Sequence, residues 1–260
     1  GLAKGTHRYQ VDALARPDKY EDLRMRICEI FHDSHGRYGY RRVHATLRAE
    51  DVVVSEKVVC RIMAEGELRA RCSKKRKYSS YKGEISDAPE NLVKRNFHAD
   101  GPNKLWLTDI TEFSIPAGKV YLSPIIDCFD GKVVAHAMST SPNAALVNGM
   151  LDEAAEELEL GDRPIGHSDR GCHYRWPGWI ERCERYGIVR SMSAKGCSPD
   201  NSAMEGFFGR MKVEFFYGRS WRGWTIERFM EAIDEYIEWY NEKRVKLSWG
   251  CGRFSVPLGS

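Results

Sequence analysis

Apolar residues in the 260-residue chain recur with two different periods, and the change falls near residue 100. Over residues 19–34, Leu23, Ile27, Ile30 and Phe31 return every three or four positions, which predicts an amphipathic helix. The run Gly36-Arg37-Tyr38-Gly39-Tyr40-Arg41-Arg42 punctuates it. Val43, Leu47 and then residues 52–62 continue a helical pattern. Ser55 is a plausible N-cap for Val58, Val59 and Ile62, and Gly66 is a stop. Helix, turn and helix followed by basic residues is the outline of a helix-turn-helix DNA reader.

Beyond residue 100 short apolar runs take over. Residues 105–110 predict a strand that ends in an acid, 120–126 a second and 132–139 a third. Asp130-Gly131 marks a hairpin between the last two. A helix over 143–160 has Ala144, Val147, Leu151, Ala154, Ala155 and Leu158 as its apolar face. Residues 164–168 form a strand ending at Asp169, 176–186 a helix and 188–192 a strand. After a Gly- and Pro-bearing loop (193–200) come helices over 201–216 and 226–241. Three early strands followed by alternating helices and strands predict an α/β fold, a mixed sheet flanked by helices. The domain reading is therefore residues 1–68 as a helix-turn-helix-like region, 69–99 as a basic linker, and 100–260 as an α/β body with a closing helix.

Charge sharpens that division. The net charge of +3 combines +7 over residues 1–99 with −4 over residues 100–260. A basic arm before an acidic body suggests a nucleic-acid grip beside a carboxylate-bearing centre. Residues 69–82 read RARCSKKRKYSSYK without apolar periodicity, so Lys74, Lys75, Arg76 and Lys77 are candidates for contact with phosphates. No run of about 18 apolar residues is present, so no membrane partner is expected. Eight cysteines without a C-x-x-C pair or a secretory signal read as reduced thiols in a cytoplasmic protein. His32, His35, Cys60 and Cys72 offer zinc-binding atoms at a spacing that fits no familiar finger. Gly1 in place of Met suggests a trimmed start.

Three carboxylates stand out by position. Asp109 lies in the first strand of the body, Asp169 ends the strand of His167-Ser168-Asp169-Arg170-Gly171, and Glu205 sits early on a helix with thirty-five residues between it and Asp169. Acids amid apolar strand residues are costly unless they bind a cation, and three that converge repel one another without one. Oxygen ligands without softer partners suit Mg²⁺ or Mn²⁺. Two such ions about 3.5–4 Å apart clamp the attacking and leaving oxygens of an in-line phosphoryl transfer. Asp127 and Asp130 compete near the strand ends, but Asp130 has a ready role in the Asp-Gly turn.

The segments Trp106-Leu107-Thr108-Asp109-Ile110-Thr111, His167-Ser168-Asp169-Arg170-Gly171, Ser191-Met192-Ser193-Ala194-Lys195-Gly196 and Asp200-Asn201-Ser202-Ala203-Met204-Glu205-Gly206-Phe207-Phe208 resemble the OrfB transposases of bacterial insertion sequences. These are grouped with the retroviral integrases. Tyr38-Gly39-Tyr40-Arg41-Arg42 resembles the helix-turn-helix region ahead of their core, and Trp239-Tyr240-Asn241 with Arg244 resembles their closing helix. The resemblance implies a ribonuclease-H-like, five-stranded mixed sheet. It implies metal-dependent DNA strand cleavage and strand transfer, with Asp109, Asp169 and Glu205 as ligands of two Mg²⁺ or Mn²⁺ ions. Lys212, seven residues past Glu205 on the same helix face, would contact the DNA end. Asn201 also matches the family pattern, and an N-cap is an equal reading of it. Arg41, Arg42 and Lys195 complete the expected DNA contacts. Double-stranded DNA, a first-reading-frame protein or fusion, and further copies of the chain on DNA are the implied partners, at the nucleoid of a bacterial cytoplasm. The tail from Lys246 departs from the family pattern. A DNA-binding protein without catalysis and a nuclease for RNA–DNA hybrids are the rival readings.

Overall fold

The computed structural model describes residues 19–70, 89–194 and 198–246. The chain divides into two compact units, residues 1–71 and 72–260.

The first unit contains three helices, α1 (Glu21–Asp33), α2 (Tyr40–Ala49) and α3 (Glu56–Glu65). Ile27, Ile30, Val43, Leu47, Val59 and Ile62 form its buried centre. The Ser34 hydroxyl accepts the Tyr38 N–H at 3.2 Å in the first turn. The helical pattern across residues 52–54 does not produce a helix. The chain leaves α2 at Ala49, turns through Asp51 at φ +60° and leaves Val53 fully exposed. It re-enters a helix only after Ser55, whose hydroxyl accepts the Val58 N–H at 3.4 Å. Three consecutive valines lose rotamer freedom in a helix, and a good cap immediately after them favours a fresh start.

The second unit is a six-stranded sheet between two helical layers. The strands are β1 (Leu105–Thr108), β2 (Thr111–Ile115), β3 (Gly118–Asp127), β4 (Val133–Ser139), β5 (Ile165–Ser168) and β6 (Val189–Met192). β3 pairs antiparallel with β4 along one edge, and with β2 and then β1 along the other. β5 adds parallel to β1, and β6 parallel to β5. β1 and β2 are one track interrupted once. Thr108 faces Ile125 and Thr111 faces Leu122, so Asp109 and Ile110 stand opposite Pro124 and Ser123 without a break in register. That lapse makes six strands where the family pattern implied five.

The helices are α4 (Ala144–Glu156), α5 (Pro177–Arg185), α6 (Ser202–Met211) and α7 (Ile226–Glu242). Alternation along β1 sends Trp106 to one face, against Val147, Met150 and Leu151 of α4 and Trp179 of α5. Leu105 and Leu107 go to the other, against Met204, Phe207 and Met211 of α6 and Phe229 and Tyr240 of α7. Each fully buried large side chain here contributes roughly 1.5–3 kcal/mol relative to exposure. Residues 89–99, grouped with the basic linker on charge, bring Val93 and Ala99 into this second core. The outer edge of β4 is closed by a side chain: Asn241 accepts the Val133 N–H and donates to the Val133 carbonyl, both at 2.9 Å. An exposed ladder is thereby satisfied in place of another strand. Among the described residues no helix is long and apolar enough to cross a membrane.

Candidate active site

The parallel register of β1 and β5 sets Thr108 beside Ser168. The next residue on each strand is an acid, so Asp109 and Asp169 leave the carboxyl ends of neighbouring parallel strands together. Open α/β sheets carry their ligands at that end. The Ile110 N–H, which has no ladder partner at the lapse, donates to Asp109 Oδ1 at 2.7 Å. Asp109 Oδ2 accepts Asn201 Nδ2 at 2.9 Å. Asp169 Oδ1 accepts the Gly171 N–H at 2.8 Å, and a Cβ on Gly171 would itself lie 2.8 Å from that oxygen. Any side chain at this position would therefore have to displace the Asp169 carboxylate.

Both carboxyls resist ionisation. Burial pushes Asp109 up to about 8, the negative charges of Asp169 and Glu205 push the same way, and the Ile110 and Asn201 hydrogen bonds pull back. Burial also raises Asp169, against the Gly171 hydrogen bond and the nearby His173 and His167. Glu205 occupies the first turn of α6 and is exposed. Its charge reaches Asp109. Among the described residues, however, no three His, Cys, Asp or Glu side chains close together around a single ion position. Asp109 and Asp169 form the pair, with Glu205 on the open side. The buried Tyr174 hydroxyl lies 3.4 Å from Thr108 Oγ1; burial, then the charges of Asp109 and Asp169, raise its pKa well above the usual tyrosine value.

Lys212 faces this cluster. Its ammonium lies 5.7 Å from the Phe113 ring centroid. Burial lowers its pKa, while Glu112 and Asp109 draw it back up. It does not continue the α6 helix as the spacing suggested, because the backbone widens into a π-helical turn over Lys212–Phe216. Asn201 makes no capping hydrogen bond, so its side chain belongs to Asp109 and not to the start of α6. Its Oδ1 is buried without a hydrogen-bond partner among the described residues. Asp127 is excluded from the centre by topology. It ends β3 opposite Trp106, at the other end of the sheet, where it accepts the Asn103 and Phe129 N–H groups at 2.7 and 2.8 Å.

Arg41 and Arg42 lie on α2 in the first unit. Arg41 Nε donates to the Tyr40 hydroxyl at 3.2 Å, and the Arg42 guanidinium lies 5.8 Å from the Tyr38 ring centroid. Lys74, Lys75, Arg76, Lys77 and Lys195 lie outside the described residues. Sequence reading gave His167 and Asp200 no separate role. Both are buried beside the acids and joined to each other, with His167 Nε2 3.0 Å from the Asp200 carbonyl. Their only signal was membership of the two acid-bearing motifs.

Residues 99–198 and 205–255 match integrase core domain families, and residues 19–76 match an HTH-like domain family. The chain is 54% identical over 249 residues to a probable transposase for insertion sequence element IS1353 of Shigella flexneri, covering 96% of this chain and 48% of that protein. It is 41% identical over 246 residues to the putative transposase InsK for insertion sequence element IS150 of Escherichia coli K12, covering 95% of this chain and 86% of that one. A solved simian T-cell lymphotropic virus intasome in complex with a PP2A regulatory subunit gives a TM-score of 0.48 at 16% identity, over 85% of this chain and 70% of that one. The integrase core match over residues 99–198 takes in the mixed sheet and both aspartates. The chain belongs to the insertion-sequence transposase family. It spans about half the length of the IS1353 relative.

Proposed function

We propose that this chain carries out metal-dependent cleavage and strand transfer at the ends of an insertion sequence, with Asp109, Asp169 and Glu205 as the carboxylates that hold two Mg²⁺ or Mn²⁺ ions. The observation that carries the reading is the Asp109–Asp169 pair. Two half-buried acids share one end of the sheet, a third lies within electrostatic reach, and desolvation together with mutual repulsion holds Asp109 up to about 8. A divalent cation relieves both costs, and hard carboxylate oxygens are its preferred donors. The orphaned Asn201 Oδ1 beside them is a further oxygen suited to a bound cation or its water.

Held by Asp109, Asp169 and Glu205, divalent ions would supply activation of the attacking oxygen and stabilisation of the departing one in an in-line displacement at phosphorus. The chain's own groups supply the rest. The Ile110 and Gly171 N–H groups fix the two aspartates before anything binds. Asn201 orients Asp109. Lys212 presents positive charge to a DNA phosphate beside the acids, and Lys195 is a further candidate contact to DNA. Water, or a DNA 3′-hydroxyl, attacks phosphorus while the 3′-oxygen of the cleaved bond leaves. Arg41 and Arg42, with Lys74, Lys75, Arg76 and Lys77, contact phosphates of double-stranded DNA and position it. Pairing two element ends calls for more than one copy of the chain, and a first-reading-frame segment or partner supplies further end recognition.

The test is nicking of supercoiled plasmid in Mn²⁺, in Mg²⁺ and in EDTA. Wild type nicks only with metal. Asp169→Asn loses about a thousandfold or more, on the order of 4 kcal/mol of barrier, while keeping its fold and its DNA affinity. Cleavage by the variant at the wild-type rate would remove Asp169 from the mechanism.

A further inference from the structure

A closed ring of buried and part-buried hydrogen bonds joins three distant stretches of the larger unit next to the acids. The Asp200 carboxylate, 4% exposed, accepts Arg95 Nε at 2.8 Å, Asn91 Nδ2 at 2.9 Å and the Ala194 N–H at 3.0 Å. The Asp200 carbonyl can only accept, so His167 Nε2 carries the proton between them. His167 Nδ1 is then a lone pair and accepts the Ser191 hydroxyl at 2.8 Å. Ser191 Oγ in turn accepts the Leu92 N–H at 3.0 Å, which returns the ring to residues 91–95. Every proton in the ring has one assignment, and His167 is fully buried.

The turn at residues 91–95 is held in a shape it would not adopt alone. Lys94 and Arg95 are consecutive non-glycine residues at φ +47° and +67°. The Asn91 side-chain oxygen accepts the Val93 and Lys94 N–H groups at 3.1 and 2.9 Å and so fixes that bend. Backbone held in this region gathers where geometry matters to function. The other contacts of the ring point the same way. His167 lies two residues before Asp169 on β5, and Asp200 is followed directly by Asn201 and, five positions on, by Glu205.

We propose that the 91–95 turn, with Asp200 and His167, is a buttress that sets where Asn201 and Glu205 stand relative to Asp109 and Asp169. Its members are positioning residues for the cleavage centre, and the proposal rests on the reading of these acids as metal ligands. Arg95 allows the ring to be opened from outside, because its side chain is 57% exposed while the carboxylate it grips is buried.

The experiment compares wild type, Arg95→Ala, Arg95→Lys and Asp200→Asn in two measurements. In metal-dependent plasmid nicking, Arg95→Ala and Asp200→Asn lower turnover by about tenfold or more and raise the Mn²⁺ concentration for half-maximal rate, as loss of a ligand-orienting partner does. The KM for DNA stays unchanged, and Arg95→Lys recovers most of the rate. In hydrogen exchange, backbone amides of residues 198–206 exchange about tenfold faster in Arg95→Ala, while those of α4 do not change. Wild-type turnover, metal response and exchange in both Arg95→Ala and Asp200→Asn would overturn the buttress. Failure of wild type to bind Mn²⁺ or nick DNA would instead overturn the reading of the acids, and exchange alone would then decide whether the ring holds this loop.

Discussion

Two groups of ionisable side chains lie in the same unit, one half-buried and one buried, and their electrostatics are opposite. In one, Asp109 and Asp169 meet at the strand ends with Glu205 nearby, all of one sign. In the other, the π-helical turn of Lys212–Phe216 places Glu214 against Arg244, just past α7. Arg244 Nε and Nη2 grip the two Glu214 oxygens at 3.0 and 2.8 Å, and the Tyr236 hydroxyl donates to the same carboxylate at 3.0 Å. Arg244 and Glu214 are 3% and 6% exposed. Burial alone would lower the pKa of Arg244, yet the Glu214 hydrogen bond and charge more than offset it and leave it raised. The second group is balanced within the chain and anchors the closing helix to the turn that presents Lys212. The first is left with repulsion that its hydrogen bonds and the nearby Lys212 and histidines only partly offset. Loss of water, partial in the first and nearly complete in the second, does not tell a structural charge from a functional one; the sign of the neighbours does.

The sharpest way to break this comparison is to unbalance the balanced group. Arg244→Met leaves the Glu214 carboxylate buried without its guanidinium. Removing one partner of a buried pair costs about 3–5 kcal/mol. Guanidinium chloride unfolding should show that loss as a lower midpoint at unchanged slope. A loss below about 1 kcal/mol would mean that water reaches the pair, and the contrast between the two groups would shrink accordingly.

The acid pair should respond in the opposite sense. A carboxyl whose folded pKa is raised above its unfolded value binds protons more tightly when folded. Stability then falls as pH rises from the unfolded value near 3.8 towards the folded value of about 8. Metal-free wild type should therefore lose thermal stability between pH 5 and pH 8 through this site. Asp109→Asn, which cannot ionise, should remove that part of the slope and stand several kcal/mol above wild type near pH 8, with little difference near pH 4. Mn²⁺ should flatten the wild-type curve. Parallel pH profiles for wild type and Asp109→Asn would mean that the acids are screened and do not strain the fold.

The two groups were unequally legible in the sequence. Asp109, Asp169 and Glu205 could be read because local patterns frame them: an apolar strand ending in an acid, twice, and an apolar helix face beginning beside a glutamate. The parallel pairing of β1 with β5 that sets the two aspartates side by side was not legible there. β2 was legible and passed over, since Thr111-Glu112-Phe113-Ser114-Ile115 alternates and is buried at its first, third and fifth positions. The Asp109–Ile110 lapse had made the strand seem to stop. Asp200 with Arg95, and Glu214 with Arg244, are contacts over 105 and 30 positions that leave no period in the sequence. The π-helical turn likewise has no local signal, because its shape is set by what Phe215 and Glu214 meet on α7.

The smallest effect refines the balanced group. Tyr236→Phe removes one hydroxyl donor from Glu214 and leaves the bidentate Arg244 pair in place. Each hydrogen bond to a charged acceptor contributes about 1.5–3 kcal/mol when its loss leaves that acceptor unsatisfied, but Glu214 keeps its guanidinium. A loss of about 1 kcal/mol is expected, well below that of Arg244→Met, with the nicking rate near wild type because Tyr236 lies away from the acids. If Tyr236→Phe slowed nicking while stability held, the carboxylate would be steering the π-helical turn and with it Lys212. The balanced group would then belong to the working site as well as to the scaffold.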